Sequence, residues 1–276
     1  MKLPEINEVL DNIQEVQSKV DTRTNSIGNW IIHQRRRIEE NRKLININSE
    51  YAKIVIFKKL IIDFLMRAVR GERGNYLRES IEKHINLFQD LNEKNYAHTV
   101  VDGRYRWGSD AGTYILGEVV STISKEYDWD LKKYFDKVDE NYNTNFEDDP
   151  FLKIKFIGFK VRDLAVSNFN DRYVANDLHV VRVTTRLGLL NFGFHLLRND
   201  KCEMGNNPSD ESNYLFLHQL FQYLSSETNN RYSPVDIDRA FWHLGRSICG
   251  KKPKCEKCPI NQICLTGRER VKNGIE

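Results

Sequence analysis

The sequence predicts an all-α fold. Apolar residues recur at helical spacing along most of the 276-residue chain, no stretch alternates convincingly as a strand would, and no internal repeat is present. Ile6, Leu10, Ile13, Val16 and Val20 follow a heptad-like spacing that predicts a first helix. Ile54, Phe57, Ile61, Phe64 and Leu65 repeat the pattern, as do Ile115, Leu116, Val119, Val120 and Ile123. Residues 1–48 read as a helical extension before the first strongly apolar helix. Within it Gln34, Arg35, Arg36 and Arg37 precede Ile38 and two glutamates, a run that suits a solvated helix face or a phosphate contact. Asp136–Asp149 is acidic, rich in Asn and closed by Pro150, so it reads as a loop before a new helix. A second loop is expected over Cys202–Asn213.

Composition narrows the class. Apolar residues make up 40% of the chain, too many for a disordered protein. The longest apolar candidate, Ile54–Met66, is interrupted by Lys58, Lys59 and Asp63, so no membrane span is expected. The polar, mixed-charge start is unlike a secretory signal, and we expect a soluble cytoplasmic protein. The net charge of +3 neither requires nor excludes nucleic acid. Of the five cysteines, four crowd the C-terminal end, which in an intracellular chain suggests a metal centre rather than a disulfide framework.

Those four are Cys249, Cys255, Cys258 and Cys264. Four thiolates so close can wrap one centre, either zinc or an iron–sulfur cubane. Structural zinc sites usually separate two Cys-x-x-Cys halves by a dozen or more residues. Here one central Cys-x-x-Cys is flanked by single cysteines at equal distance, which favours a 4Fe-4S cluster with zinc as the alternative. Lys251, Lys252, Lys254 and Lys257 lie between the cysteines, opposed by Glu256. A lysine-rich loop pinned at both ends by metal suits phosphate binding, because little flexibility is left to lose on docking.

Upstream, Phe151–Lys155 is followed by Phe156, Ile157, Gly158, Phe159 and Lys160, then by Val161, Leu164, Ala165 and Phe169 at helical spacing. This predicts helix, tight turn at Gly158, helix, a hairpin that points backbone N–H groups at a phosphate. Seventeen residues after Lys160 comes Asp177, just before a helix with Val180, Val183 and Leu187 on one face and His179, Arg182 and Arg186 on another. Taken alone, Asp177 is an N-cap and Lys160 a solvated lysine.

The order of these parts resembles the helix-hairpin-helix DNA glycosylases, in the endonuclease III-like branch that carries a cluster loop. The segment Asp177–Arg186 is similar to the family's catalytic Asp with its following His and Arg, and Trp242–Cys249 resembles the approach to the first cluster ligand. Weaker similarity reaches back through Gly103–Trp107. Phe156 stands where the hairpin usually has its first glycine, and the first cysteine gap is one residue shorter than the common pattern. The glutamine that fills the hole left by the flipped base has no clear match near Phe64–Arg70, where Arg67 or Arg70 would have to serve.

The resemblance implies two helical domains with the active-site cleft between them, a six-helix domain with the hairpin over 49–170 and a cluster domain over 171–276. It implies a monomer acting on double-stranded DNA that contains a damaged, modified or abasic nucleotide, which is flipped out of the stack. Lys160 would attack the sugar C1′ as a neutral amine, and a helix N-terminus disfavours the ammonium. Asp177 would stabilise the positive charge that develops on the sugar. Gly158, Lys251, Lys252 and Lys254 would contact the backbone of the DNA. A glycosylase with β-elimination lyase activity follows. The alternatives are a monofunctional glycosylase, a non-catalytic DNA-binding protein that kept hairpin and cluster, and a zinc-bearing structural protein.

Overall fold

The computed structural model describes residues 5–65, 72–86, 100–101, 108–189 and 211–274. Arg67, Arg70, Gly103–Trp107 and residues 202–210 of the expected loop lie outside them; Glu211–Asn213, expected to close that loop, are helical. The described residues form eleven helices, two short 3-10 turns and one two-stranded sheet. In chain order these are α1 (Ile6–Ile13), β1 (Gln17–Val20), β2 (Arg23–Ser26), α2 (Ile27–Ile45), α3 (Glu50–Leu65) and α4 (Glu72–His84). There follow α5 (Ser109–Tyr127), α6 (Leu131–Asn141), a 3-10 turn at Pro150–Lys153, α7 (Phe159–Val166) and α8 (Leu178–Leu187). The chain ends with α9 (Glu211–Glu227), α10 (Pro234–Ser247), a 3-10 turn at Cys255–Lys257 and α11 (Leu265–Lys272). The protein is thus predominantly helical, as its periodicity predicts. No described helix is long and apolar enough to cross a membrane.

The chain divides into two compact units, Met1–Arg37 with Asn170–Glu276, and Ile38–Phe169. Residues up to Arg37, set apart by sequence as part of an extension, therefore count in the same unit as the cysteine-bearing end.

In that discontinuous unit α1 buries Ile6, Val9, Leu10 and Ile13 at spacings of three and four, in one core with Ile27, Ile31, Val180, Val183, Phe221, Phe241 and Leu244. The predicted first helix does not run on to Val20. It stops at Ile13, and the chain turns into an antiparallel hairpin with Gln17 opposite Ser26 and Val20 opposite Arg23. Asp21 sits at φ 52° in the two-residue turn, a left-handed conformation that Asp tolerates better than most residues. The expectation of no strand fails here for a physical reason: this ribbon is exposed on one side, and only Ser18 is fully buried in it. Arg35 reaches the buried Asp236 carboxylate at 2.8 Å, and Arg231 pairs with Asp11 at 2.7 Å, tying N-terminal segments to α10 and its approach. A capping box between Ser233 and Asp236, with Pro234 at the first position, starts α10.

In the continuous unit α3 is central. It buries Ala52, Ile54, Ile56, Phe57, Leu60, Ile61, Phe64 and Leu65 around most of its circumference and packs on α4, α5, α6 and α7. The loop expected from Asp136 begins later, because α6 continues to Asn141. Its side chains Leu131, Tyr134, Phe135 and Val138 form a buried stripe, and the Asp130 carboxylate caps it through the Lys132 N–H. The helix expected over Phe151–Lys155 is only a 3-10 turn, capped by Asp149. Phe151 anchors it, with ring centroids 5.1 Å from Phe64 and 4.7 Å from Tyr134.

Candidate active site

The turn before α7 is held from below by charge. Arg162 and Asp163 are buried neighbours and bonded to each other. Arg162 also donates to Asp149 at 2.8 Å, and Tyr134 donates its hydroxyl to the same carboxylate at 3.1 Å. Removing one partner of such a buried pair leaves an unpaired charge, which typically costs about 3–5 kcal/mol. Because Asp149 caps the 3-10 turn and Arg162 lies in α7, this network fixes both arms of the connection.

At its tip Phe156 lies at φ 76°, the left-handed region that favours glycine. The conformation of the expected glycine is therefore kept by a phenylalanine. Its ring meets Tyr114 edge-on at 6.4 Å and lies under the Lys155 ammonium at 5.1 Å. Gly158 caps α7 in extended geometry, and a Cβ there would meet nothing within 4 Å. Neither backbone strain nor packing inside the chain demands that glycine. Lys160 is half-buried in the first turn of α7, where helix N–H groups lack intrahelical acceptors.

Lys160 belongs to the continuous unit and Asp177 to the discontinuous one. Asp177 is the N-cap of α8: its Oδ1 accepts from the His179 N–H at 2.7 Å and from Val180 at 3.2 Å. Its Oδ2 accepts from the Trp242 indole N–H at 3.0 Å. Helices α8 and α10 cross closely at Gly245, where a Cβ would lie 2.8 Å from both Cβ and carbonyl oxygen of His179. The His179 Nδ1 lies 3.1 Å from the Gly245 carbonyl, so that nitrogen carries the proton and donates. Burial holds the His179 imidazole below its ordinary pKa, against the nearby Asp177 charge.

The other end of α8 meets the cysteines. Cys249, Cys255, Cys258 and Cys264 all line one cavity with Val183, Arg186 and Leu187. The cavity has about 370 Å³ of empty space, counting its opening to solvent. Among the described residues no group of three or more His, Cys, Asp or Glu side chains stands ready to hold a metal ion. Burial raises the pKa of the Cys255 thiol and pushes Cys258 up to about 11 and Cys264 up to about 12. Arg186 holds the loop through its backbone, donating to the Gly250 carbonyl at 2.6 Å, to Lys251 at 3.1 Å and to Cys249 at 3.3 Å. With the carbonyls so engaged, Lys251, Lys252, Lys254 and Lys257 project into solvent. Gly267 lets α11 close on this loop, since a Cβ there would lie 2.6 Å from the Asn261 carbonyl.

Trp242 and Arg186 contribute contacts that spacing does not reveal. Arg186 was placed on a polar helix face, and its contact with a loop 63 to 65 residues away is long-range. Trp242 entered only as part of a resemblance, and its bond to Asp177 spans 65 residues.

The chain is 26% identical over 129 residues to endonuclease III of Bacillus subtilis (strain 168), which covers 46% of this chain and 49% of that protein. It therefore spans about half the length of the curated relative it matches. No family model matches, and no solved structure matches. The relationship is distant, and the relative's name agrees with the endonuclease III-like resemblance of the motifs.

Proposed function

We propose that this distant relative of endonuclease III is a DNA glycosylase with associated abasic-site lyase activity, working in base-excision repair. The observation that carries the proposal is the placement of α8. This one ten-residue helix starts at the Asp177 carboxylate and ends in the cavity of the four thiols. Two motifs of the predicted site are thereby joined in one rigid element, with an exposed lysine loop beside the second.

In this reading Asp177 stabilises positive charge on the sugar while the glycosidic bond breaks. Lys160 supplies the amine that bonds to C1′ as the base leaves with the bonding electrons. The nitrogen then gives up a proton as the C1′–O4′ bond breaks and O4′ takes a proton, which leaves a Schiff base; loss of a C2′ proton from it expels the 3′ phosphate. Gly158 and the first turn of α7 receive a backbone phosphate, for which the open space at Gly158 leaves room. Cys249, Cys255, Cys258 and Cys264, which all line one cavity, would hold a 4Fe-4S cluster. Its ligation would pin the loop that presents Lys251, Lys252 and Lys254 to phosphates. A protein of this kind acts on duplex DNA with a damaged, modified or abasic nucleotide.

A second reading, a binding protein without catalysis, draws on the complete N-cap geometry of Asp177. One experiment separates the two. Duplexes that each carry one lesion are scored for base release and strand scission, and borohydride is added during turnover on abasic DNA. The expected result is a trapped covalent complex with the parent protein and none with Lys160→Gln, although Lys160→Gln still binds. Base release should fall about 100-fold or more in Asp177→Asn. A trapped complex with Lys160→Gln would assign the amine elsewhere, and base release without trapping by the parent would indicate a monofunctional enzyme.

A further inference from the structure

We infer that Trp242 is a positioning residue for the Asp177 carboxylate, and that the N-terminal hairpin supports it. The inference rests on Asp177 being the catalytic carboxylate. An N-cap needs one side-chain oxygen, and Oδ1 meets that need through the His179 and Val180 N–H groups. The bond from the Trp242 indole to Oδ2 adds nothing to the cap. It does remove rotation of the carboxylate about its own axis, so both oxygens are fixed by different helices. An indole N–H is a donor only, so it orients a carboxylate without offering it a competing base.

The indole is itself held from three sides. The Arg246 guanidinium lies 4.5 Å from its ring centroid, one turn along α10. The His179 ring meets it edge-on at 6.4 Å. On its other flank the His243 ring meets it at 4.9 Å, nearly perpendicular. His243 is buried and stacks on Trp30 at 5.2 Å with an interplanar angle of 10°. Ser18 of β1 bonds the His243 Nδ1 at 3.0 Å, and the Trp30 indole donates to the Ser18 carbonyl at 3.1 Å. A continuous series of contacts therefore runs from the hairpin through Trp30 and His243 to Trp242 and Asp177, all within one compact unit.

The test is a double-mutant cycle on the duplex, among those carrying single lesions, whose base the parent releases fastest. Trp242→Phe keeps an aromatic ring and removes the donor. We expect kcat to fall about tenfold with KM unchanged, as for loss of one hydrogen bond to a charged group. Borohydride trapping on abasic DNA, which reads Lys160, should survive. In an Asp177→Asn background Trp242→Phe should add nothing further. Independently of turnover, the indole N–H resonance missing from Trp242→Phe should move in Asp177→Asn protein, while that of Trp129 stays. If Asp177→Asn is slow but Trp242→Phe matches the parent, the positioning role is wrong and Asp177 stands. An equal loss in both backgrounds would reduce Trp242 to packing and overturn the inference. Full activity in Asp177→Asn would remove the catalytic carboxylate and the inference with it.

Discussion

Acidification should weaken the fold through His243, before any group at the surface matters. The ring lies between Trp30 and Trp242, and burial, reinforced by the positive charges of Arg239 and Arg246, pushes its pKa down to about 3 from 6.5. Between those values the unfolded chain binds a proton that the folded chain refuses. Stability from this group is therefore full above pH 6.5, falls as pH drops and stops falling near pH 3. The slope approaches about 1.4 kcal/mol per pH unit. Integrating the two titrations from pH 7 to pH 5 gives a loss of about 2 kcal/mol. Urea unfolding at a series of pH values reads this directly from the midpoints, provided the denaturant slope stays constant. The control is His243→Phe with Ser18→Ala, which keeps a ring against Trp30, removes the titrating nitrogen and leaves no hydroxyl stranded. The parent should lose about 2 kcal/mol more than the control over that interval. An equal loss in both proteins would refute the assignment, and would move the pH sensitivity to His179 or to the carboxylates.

Three further outcomes are expected. Gly245→Ala should destabilise the protein by about 1–3 kcal/mol in thermal or urea unfolding, because the new methyl would sit 2.8 Å from backbone and Cβ of His179. Lys251→Ala with Lys252→Ala should weaken binding to all duplexes alike and flatten the dependence of log K on log salt by up to about one unit per lost contact. Metal analysis of anaerobically purified protein should find iron and sulfide with broad visible absorption, lost in Cys258→Ala; stoichiometric zinc without iron would refute the cluster.

The helices that the sequence announces are those whose apolar stripe faces a core from a long element. The spacing of Phe57, Ile61 and Phe64 in α3 has no reading other than a buried helix. The hairpin was hidden because its strands are short, mostly polar and solvated on one side, so neither period dominates over Gln17–Ser26. Val16 and Val20 fall on the heptad by coincidence, and the turn at Asp21 lacks the glycine that usually marks such a connection. Asp177 was legible as a cap because capping is local. The same carboxylate's bond to Trp242 was not, since α8 and α10 are distant in sequence and meet through close packing at Gly245. Phe156 is the opposite case. Its departure from glycine stands out in the sequence, yet the backbone there keeps glycine's φ.

The discontinuous unit has a consequence for biosynthesis. Its core joins Ile6, Leu10, Ile13 and Ile27 to Val180, Phe241 and Leu244, so α1 must wait for α10, translated much later. Until α10 emerges, the apolar side of α1 lacks Phe241 and Leu244 and stays incompletely covered, a natural site for chaperones. Ile38–Phe169 is continuous in sequence and meets no such delay. A nascent chain stalled before residue 234 would hold the discontinuous unit without α10, the helix that brings Ile237, Phe241 and Leu244 to its core. Deleting α1 to improve expression would then remove core rather than ornament.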